Sequence, residues 1–227
     1  MQNKSERMEA ALELLRFKAA RQMYEGKTTS MRNLDPQTTM YVDADKKGLP
    51  WRGWREQYNG KNQNYVATDT PTTVLMTLKH VNEDEKFKHI KTVVIDTING
   101  VMVSEEMRNA KVQGYGKWTD LAQYVWEIFD YCLTMRDDLT VIIVAHSITD
   151  ADDSGIVFTH IRTNGRKLEK IVLESKLNVV LLAECKDGKY IFHTRADRSS
   201  VKTPIDAFGE DEIPNDMAAV LKALEEY

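Results

Sequence analysis

Apolar and polar positions divide the chain into short blocks. "KTVVIDTI" is a continuous apolar run closed by Asp96, and "LTVIIVAHS" is a second, closed by His146. Runs of this kind predict strands buried on both faces, as in parallel sheets. "TTMYVDAD" is a β-rich run that ends in two carboxylates, Asp43 and Asp45. In "KWTDLAQYVWEIFDYCLTM", Leu121, Val125, Ile128, Phe129 and Cys132 recur at helical spacing. "TPTTVLMTLKHV" reads as a helix with Thr70 as cap before Pro71, and "SEEMRNAKV" as one capped by Ser104. "KLEKIVLESKL" and "DMAAVLKALEEY" complete the helical blocks, the second following Pro214. Near the N-terminus, "SERMEAALELL" reads as a short helix. "RFKAA" is either a first strand or a continuation of that helix. "GKTTSMRNL" is helical and is stopped by Asp35-Pro36. "NVVLLAECKDGKYIFHTRAD" is a hairpin turning at Lys186-Asp187-Gly188-Lys189. The polar stretch 149–167 is expected to be mobile or a hairpin, and "KKGLPWRGWREQYNGKNQN" loop-like.

Strands alternate with helices through residue 146, and a hairpin follows. That order predicts an α/β fold: a mainly parallel, doubly wound sheet with a C-terminal antiparallel hairpin extension. The 227 residues suit a single domain, with residues 1–15 as an N-terminal helical appendage. Ligands of such sheets bind beyond the C-terminal strand ends. Asp43, Asp45, Asp96, Thr97, His146 and Ser147 fall there. A net charge of −4 excludes a chain that is basic as a whole, so contact with nucleic acid would need a local basic patch or a ring of subunits. Cys132 and Cys185 lack metal-ligand spacing and read as free thiols of a reducing cytoplasm. No apolar run approaches a membrane span, and the first residues do not form a signal peptide, so the expected location is cytoplasmic.

Gly26-Lys27-Thr28-Thr29 opens a helix, where unpaired backbone N–H groups and the helix dipole favour a phosphate. Lys27 would reach the β- and γ-phosphates, and the Thr28 hydroxyl would ligand Mg²⁺. Asp96, at the end of an apolar strand, has the form of a carboxylate that holds Mg²⁺ directly or through water; the alternative is a strand-ending cap for the next helix. Asp45 could polarise an attacking water, or be an ordinary loop carboxylate. His146 could sense a γ-phosphate, or be satisfied by backbone groups.

Gly-Lys-Thr-Thr, "VDAD", "VVIDT" and "VIIVAHS" stand in the motif order of RecA-like P-loop ATPases, which the chain resembles from about residue 16 onward. "GKTTSMRNLDPQTTMYVDADKKGLPWRGW" and "IPNDMAAVLKALEEY" are similar to phage-encoded RecA-like ATP-binding proteins associated with recombination and single-strand annealing. The resemblance implies ATP and Mg²⁺ as cofactors. It implies Asp45 as the catalytic acid, one methylene shorter than the family's Glu, and His146 where the family's sensor strand ends in Gln. "YIFHTRADRSSVKTP" resembles the family's late strand and nominates Arg195, Arg198 and Lys202 as fingers acting on a neighbour's nucleotide. A homo-oligomer, ring or filament, follows from that role.

The phosphate-loop pattern requires a glycine where Arg21 stands, and the family often has another at Tyr24. A side chain resists the backbone conformation that glycine supplies, and Glu25 would repel phosphate. If "RFKAA" is the first strand, the loop keeps its length; if "RQMY" ends the strand, the loop is about four residues short. Either alignment predicts weakened nucleotide binding. For single-stranded DNA, the resemblance points to 108–118, with Arg108, Lys111, Tyr115, Lys117 and Trp118, and to 149–167, with Arg162, Arg166 and Lys167. The second stretch also carries Asp150, Asp152 and Asp153, which repel phosphate. Trp51 and Trp54 are either stacking platforms or loop anchors. Three functions are therefore expected: an ATPase acting on single-stranded DNA, a non-hydrolysing RecA-like scaffold, or a small-molecule kinase.

Overall fold

The computed structural model describes residues 26–151 and 155–225. The expected N-terminal helix, "RFKAA", Arg21, Tyr24 and Glu25 lie outside the described residues, as do Asp152 and Asp153.

Four strands form a parallel sheet: β1 (Thr39–Asp43), β2 (Tyr65–Ala67), β3 (Thr92–Asp96) and β4 (Thr140–Val144), in the order β2-β1-β3-β4. Side chains alternate between its faces. Met40, Val42, Val93 and Ile95 enter one core with helices α2 (Pro71–Glu83), α3 (Ile98–Arg108) and α4 (Gly116–Cys132). Tyr41 and Val94 enter a second core, shared with Met31 of the 3₁₀ helix Thr28–Asn33 and with Met217 and Val220 of α6 (Met217–Glu225). The sheet is thus covered on both faces, as the apolar runs require. The short α1 (Trp54–Gln57) lies in the loop between β1 and β2.

Two antiparallel units follow. β5 (Ser147–Ala151) pairs with β6 (Val157–Ile161), and β7 (Leu182–Lys186), β8 (Lys189–His193) and β9 (Glu212–Pro214) form a three-stranded sheet. The expected turn at Asp187-Gly188 is present, with φ of 52° and 77°. Both central residues at positive φ match the strand twist of a two-residue hairpin. Mixed α/β architecture, a parallel sheet and an antiparallel C-terminal hairpin agree with the sequence.

Several local expectations are corrected. Ser104 lies inside α3; the cap is Thr97, whose hydroxyl accepts from the Gly100 N–H at 3.1 Å. Ile98, Val101 and Met102 are all buried, so the helix begins directly after β3. Thr70 precedes Pro71 as expected but makes no side-chain cap bond. "KLEKIVLESKL" is two pieces, α5 (Arg166–Glu169) and a 3₁₀ turn at Leu173–Lys176. Leu168 and Leu173 are both buried. In one continuous helix they would point about 140° apart, so burying both breaks it.

Candidate functional site

The ends of β1, β3 and β4 deliver three groups to one rim. Asp96 closes β3 and is buried. Its Oδ2 accepts a 2.6 Å bond from the Tyr41 hydroxyl. Burial raises its pKa, while the hydroxyls of Tyr41 and Thr28 pull it back down. Thr28 therefore faces the carboxylate, yet among the described residues Oδ1 has no hydrogen bond of ordinary geometry. A buried carboxylate oxygen in this state costs free energy unless something cationic or protic reaches it. The pair predicted to hold Mg²⁺, Thr28 and Asp96, is thus brought together.

Gly26, Lys27, Thr28 and Thr29 form the first turn after the described chain begins. Gly26 has φ of 76°, and its carbonyl accepts the Ser30 N–H at 2.9 Å. A Cβ at Gly26 would lie 2.8 Å from Cδ1 of Tyr190 and 3.0 Å from Oδ1 of Asn215. Both amide atoms of Asn215 are buried without hydrogen-bond partners among the described residues. Glycine is therefore required here by backbone and by space. The helix that follows is 3₁₀ in form, with the Ser30 hydroxyl donating to the Lys27 carbonyl at 2.6 Å.

Asp45 stands two residues beyond β1. Its Oδ1 accepts from the Thr97 hydroxyl at 3.0 Å, and its Oδ2 pairs with Nζ of Lys47 at 2.6 Å. Both oxygens are therefore engaged. Burial lowers the Lys47 pKa, but the bond to Asp45 and the charges of Asp45, Asp96 and Asp43 outweigh it and leave the pKa raised. Asp43 is structural: its Oδ2 accepts from the Gly48 N–H at 2.7 Å and from the Tyr65 hydroxyl at 2.6 Å.

His146 follows β4 and is exposed. Asn99 fixes its backbone: Oδ1 of Asn99 accepts the His146 N–H at 2.7 Å, and Nδ2 donates to the Arg162 carbonyl at 2.7 Å. His146 and Lys27 line the same cavity. Sequence reasoning missed Lys47, Tyr41, Asn99 and Asn215. Lys47 was visible in "DADKKG" as a cation beside two acids. The others act through long-range packing that no local pattern announces.

The remaining candidates are dispersed. Arg195 is exposed and pairs with Asp211 at 3.0 Å. Arg198 is exposed, and its carbonyl accepts the Thr159 N–H at 2.8 Å. Lys202 pairs its backbone with Val180. Among the described residues, no bond brings any of the three to Asp96.

The nucleic-acid candidates divide. Arg108 is bound to Asp69, Glu105 and Thr70. Lys117 reaches the carbonyls of Asn109 and Ala110 and lies over the Trp118 ring, while Lys167 donates to Thr119. Lys111 and Arg162 are exposed, Arg166 opens α5, and Tyr115 is 90% exposed. Trp51 and Trp54 are loop anchors. Trp51 packs edge-on against Tyr41 and Tyr58, and Trp54 sits on Tyr65.

Among the described residues, no group of three or more His, Cys, Asp or Glu side chains could hold a metal. No helix among them is long and apolar enough to cross a membrane. In comparisons with known proteins, the chain matches no family model, no curated protein and no solved structure.

Proposed function

We propose that this chain is a RecA-like protein that binds Mg²⁺ with ATP at the rim formed by Thr28, Asp96 and Lys27. The observation that carries the reading is the buried Oδ1 of Asp96, unpartnered among the described residues, beside the Thr28 hydroxyl. Mg²⁺ takes one or two protein oxygens and fills its octahedron with waters and phosphate oxygens, which suits two ligands better than an all-protein cage. When bound, the metal neutralises phosphate charge. Asp96 and Thr28 would hold it, Lys27 would pair with phosphate oxygens, and the Gly26 turn would let backbone approach them. His146 would contact the terminal phosphate. Arg195, Arg198 and Lys202 would act on the nucleotide of a neighbouring copy in a homo-oligomer. Single-stranded DNA is the proposed polymer partner, in recombination or annealing.

The second reading, a scaffold that binds without turnover, is favoured by Asp45. With Thr97 and Lys47 on its two oxygens, it is not poised to take a proton from water. Titration calorimetry with Mg·ATPγS on the wild type, Lys27→Ala and Asp96→Asn tests the site. Micromolar affinity in the wild type, weakened at least tenfold in both variants, is expected. No heat at millimolar nucleotide would overturn the nucleotide reading. Phosphate release from bound ATP, absent or present with oligonucleotide, then separates scaffold from ATPase.

A further inference from the structure

Asp43, Asp45 and Asp96 converge where β1 and β3 end. Mg·ATP still carries net negative charge, so such a rim repels it unless cations offset the acids. Lys27 is one cation for that role. Lys47 is a second. Its Nζ lies 2.6 Å from Oδ2 of Asp45, whose other oxygen is bonded to Thr97, the residue next to Asp96. The charge of Lys47 also lowers the pKa of Asp96, so the ammonium stands close to the proposed metal ligand.

The turn that carries Lys47 is held at both ends. The Ala44 N–H donates to the Asp96 carbonyl at 2.7 Å, and the Gly48 N–H to Oδ2 of Asp43 at 2.7 Å. Gly48 has φ of 75°, and a Cβ there would lie 2.6 Å from Cζ2 of Trp54. Backbone conformation and space both require glycine, so the turn packs directly on that ring. Within it the two lysines diverge. Lys46, at φ of 55°, pairs at 2.5 Å with Asp69, the carboxylate that also holds Arg108. Lys47 points to Asp45 instead. A lysine ammonium carries three donors. Among the described residues Asp45 is the acceptor that Lys47 bonds, and the lysine side chain is 51% exposed. Donor capacity therefore remains, facing solvent, on a cation beside the rim.

We propose that Lys47 is a specificity residue for the terminal phosphate: its ammonium bridges Asp45 and that phosphate, so the site prefers a nucleoside triphosphate to the diphosphate. The inference rests on the nucleotide reading above and names the group that reads the length of the phosphate chain. Lys47 acts within its own chain, whereas Arg195, Arg198 and Lys202 would need a neighbouring copy. Asp45 is then the positioning residue that holds the ammonium in place. A compact ammonium on a flexible stem can keep Asp45 and still meet a phosphate oxygen. A diphosphate lacks the group that Lys47 pairs with.

Calorimetric titrations of the full chain with Mg·ATPγS and with Mg·ADP test this. The wild type should bind ATPγS the more tightly. Lys47→Ala should weaken ATPγS about tenfold, as loss of one charge-assisted bond does, and ADP by no more than about twofold through the screened charge alone. The preference for ATPγS should shrink as salt rises, because the ammonium is half exposed. Equal losses for the two ligands would mean that Lys47 only neutralises the rim acids, and would overturn the proposal. So would a preference that the substitution leaves unchanged. Should Lys47→Ala melt below the wild type, Lys47→Gln, which keeps a donor for Asp45, is read the same way. A wild type that binds neither ligand overturns the nucleotide reading and this inference with it. A wild type that binds both, with a preference independent of Lys47, overturns this inference alone.

Discussion

Burial of Asp96 with one oxygen unpartnered works against folding, and the direction of its pKa shift gives the sign. The native value lies above the ordinary carboxylate range because burial outweighs the bonds from Tyr41 and Thr28. The folded state then holds its proton more tightly than the unfolded state does. Stability falls as pH rises from the unfolded value to the raised native one, and above the native value the cost is fully present. Asp96→Asn removes that cost and keeps an acceptor for Tyr41. It should stabilise the chain at pH 7 by about 1–3 kcal/mol, or several degrees in Tm at about 2–4 °C per kcal/mol. The gain should shrink as pH falls toward the acid range. Thermal melts of both proteins between pH 4 and 8 provide the check; an Asn variant that melts lower at pH 7 would remove the premise that this carboxylate is held at a cost. That Asp96 would end a buried strand was legible in "VVIDT". That Tyr41 would reach it was not, because the two residues are 55 apart in sequence and meet only through sheet register.

At the scale of elements, α3 meets the end of β1 at Gly100. A Cβ there would come within 2.5 Å of Oδ1 of Asp45 and 2.8 Å of the Ala44 carbonyl. The carbonyl belongs to backbone fixed by the Ala44 N–H bond to Asp96 and cannot swing aside. Gly100→Ala would otherwise favour a helix by about 1 kcal/mol. Overpacking of about 1–3 kcal/mol should outweigh it, so urea unfolding should show net destabilisation. The substitution should also loosen the Thr97–Asp45 bond. A stabilised variant would mean that the close approach is absent in solution. Element type was legible where a single periodicity persisted, as in α2, α4, β3 and β4. The Asp187-Gly188 hairpin was legible because its turn chemistry is local. β2 and β9 were not, since each has three residues and pairs only because a longer strand lies beside it. The start of α3 was misplaced because Thr97 and Ile98 were read together with the strand that Asp96 closes, and composition alone does not show how soon after a strand a helix begins.

Over the whole molecule, charge separates cations that hold the fold from cations open to a partner. Arg108 looked like a nucleic-acid contact beside Tyr115, but its guanidinium is bonded to Asp69, whose side chain is 12% exposed and also pairs with Lys46 at 2.5 Å. Those bonds hold the Asp69 carboxyl below its usual range, the Lys46 bond most strongly. Arg108 therefore joins α3 to the segment before α2. Tyr115 makes the opposite case: it is 90% exposed, between exposed Val112 and the start of α4. Stacking on a base would contribute about 1–3 kcal/mol. If the 108–118 segment meets single-stranded DNA, Tyr115→Ala should weaken binding of a labelled oligonucleotide about tenfold at low salt and leave the melting temperature unchanged. Arg108→Ala should lower the melting temperature. Any lysine or arginine that pairs with phosphate there should make binding weaken as salt rises. Oligonucleotide affinity unchanged in Tyr115→Ala would remove this segment from the interface. A loss of affinity in Arg108→Ala without any loss of stability would reverse the division and return Arg108 to the binding surface.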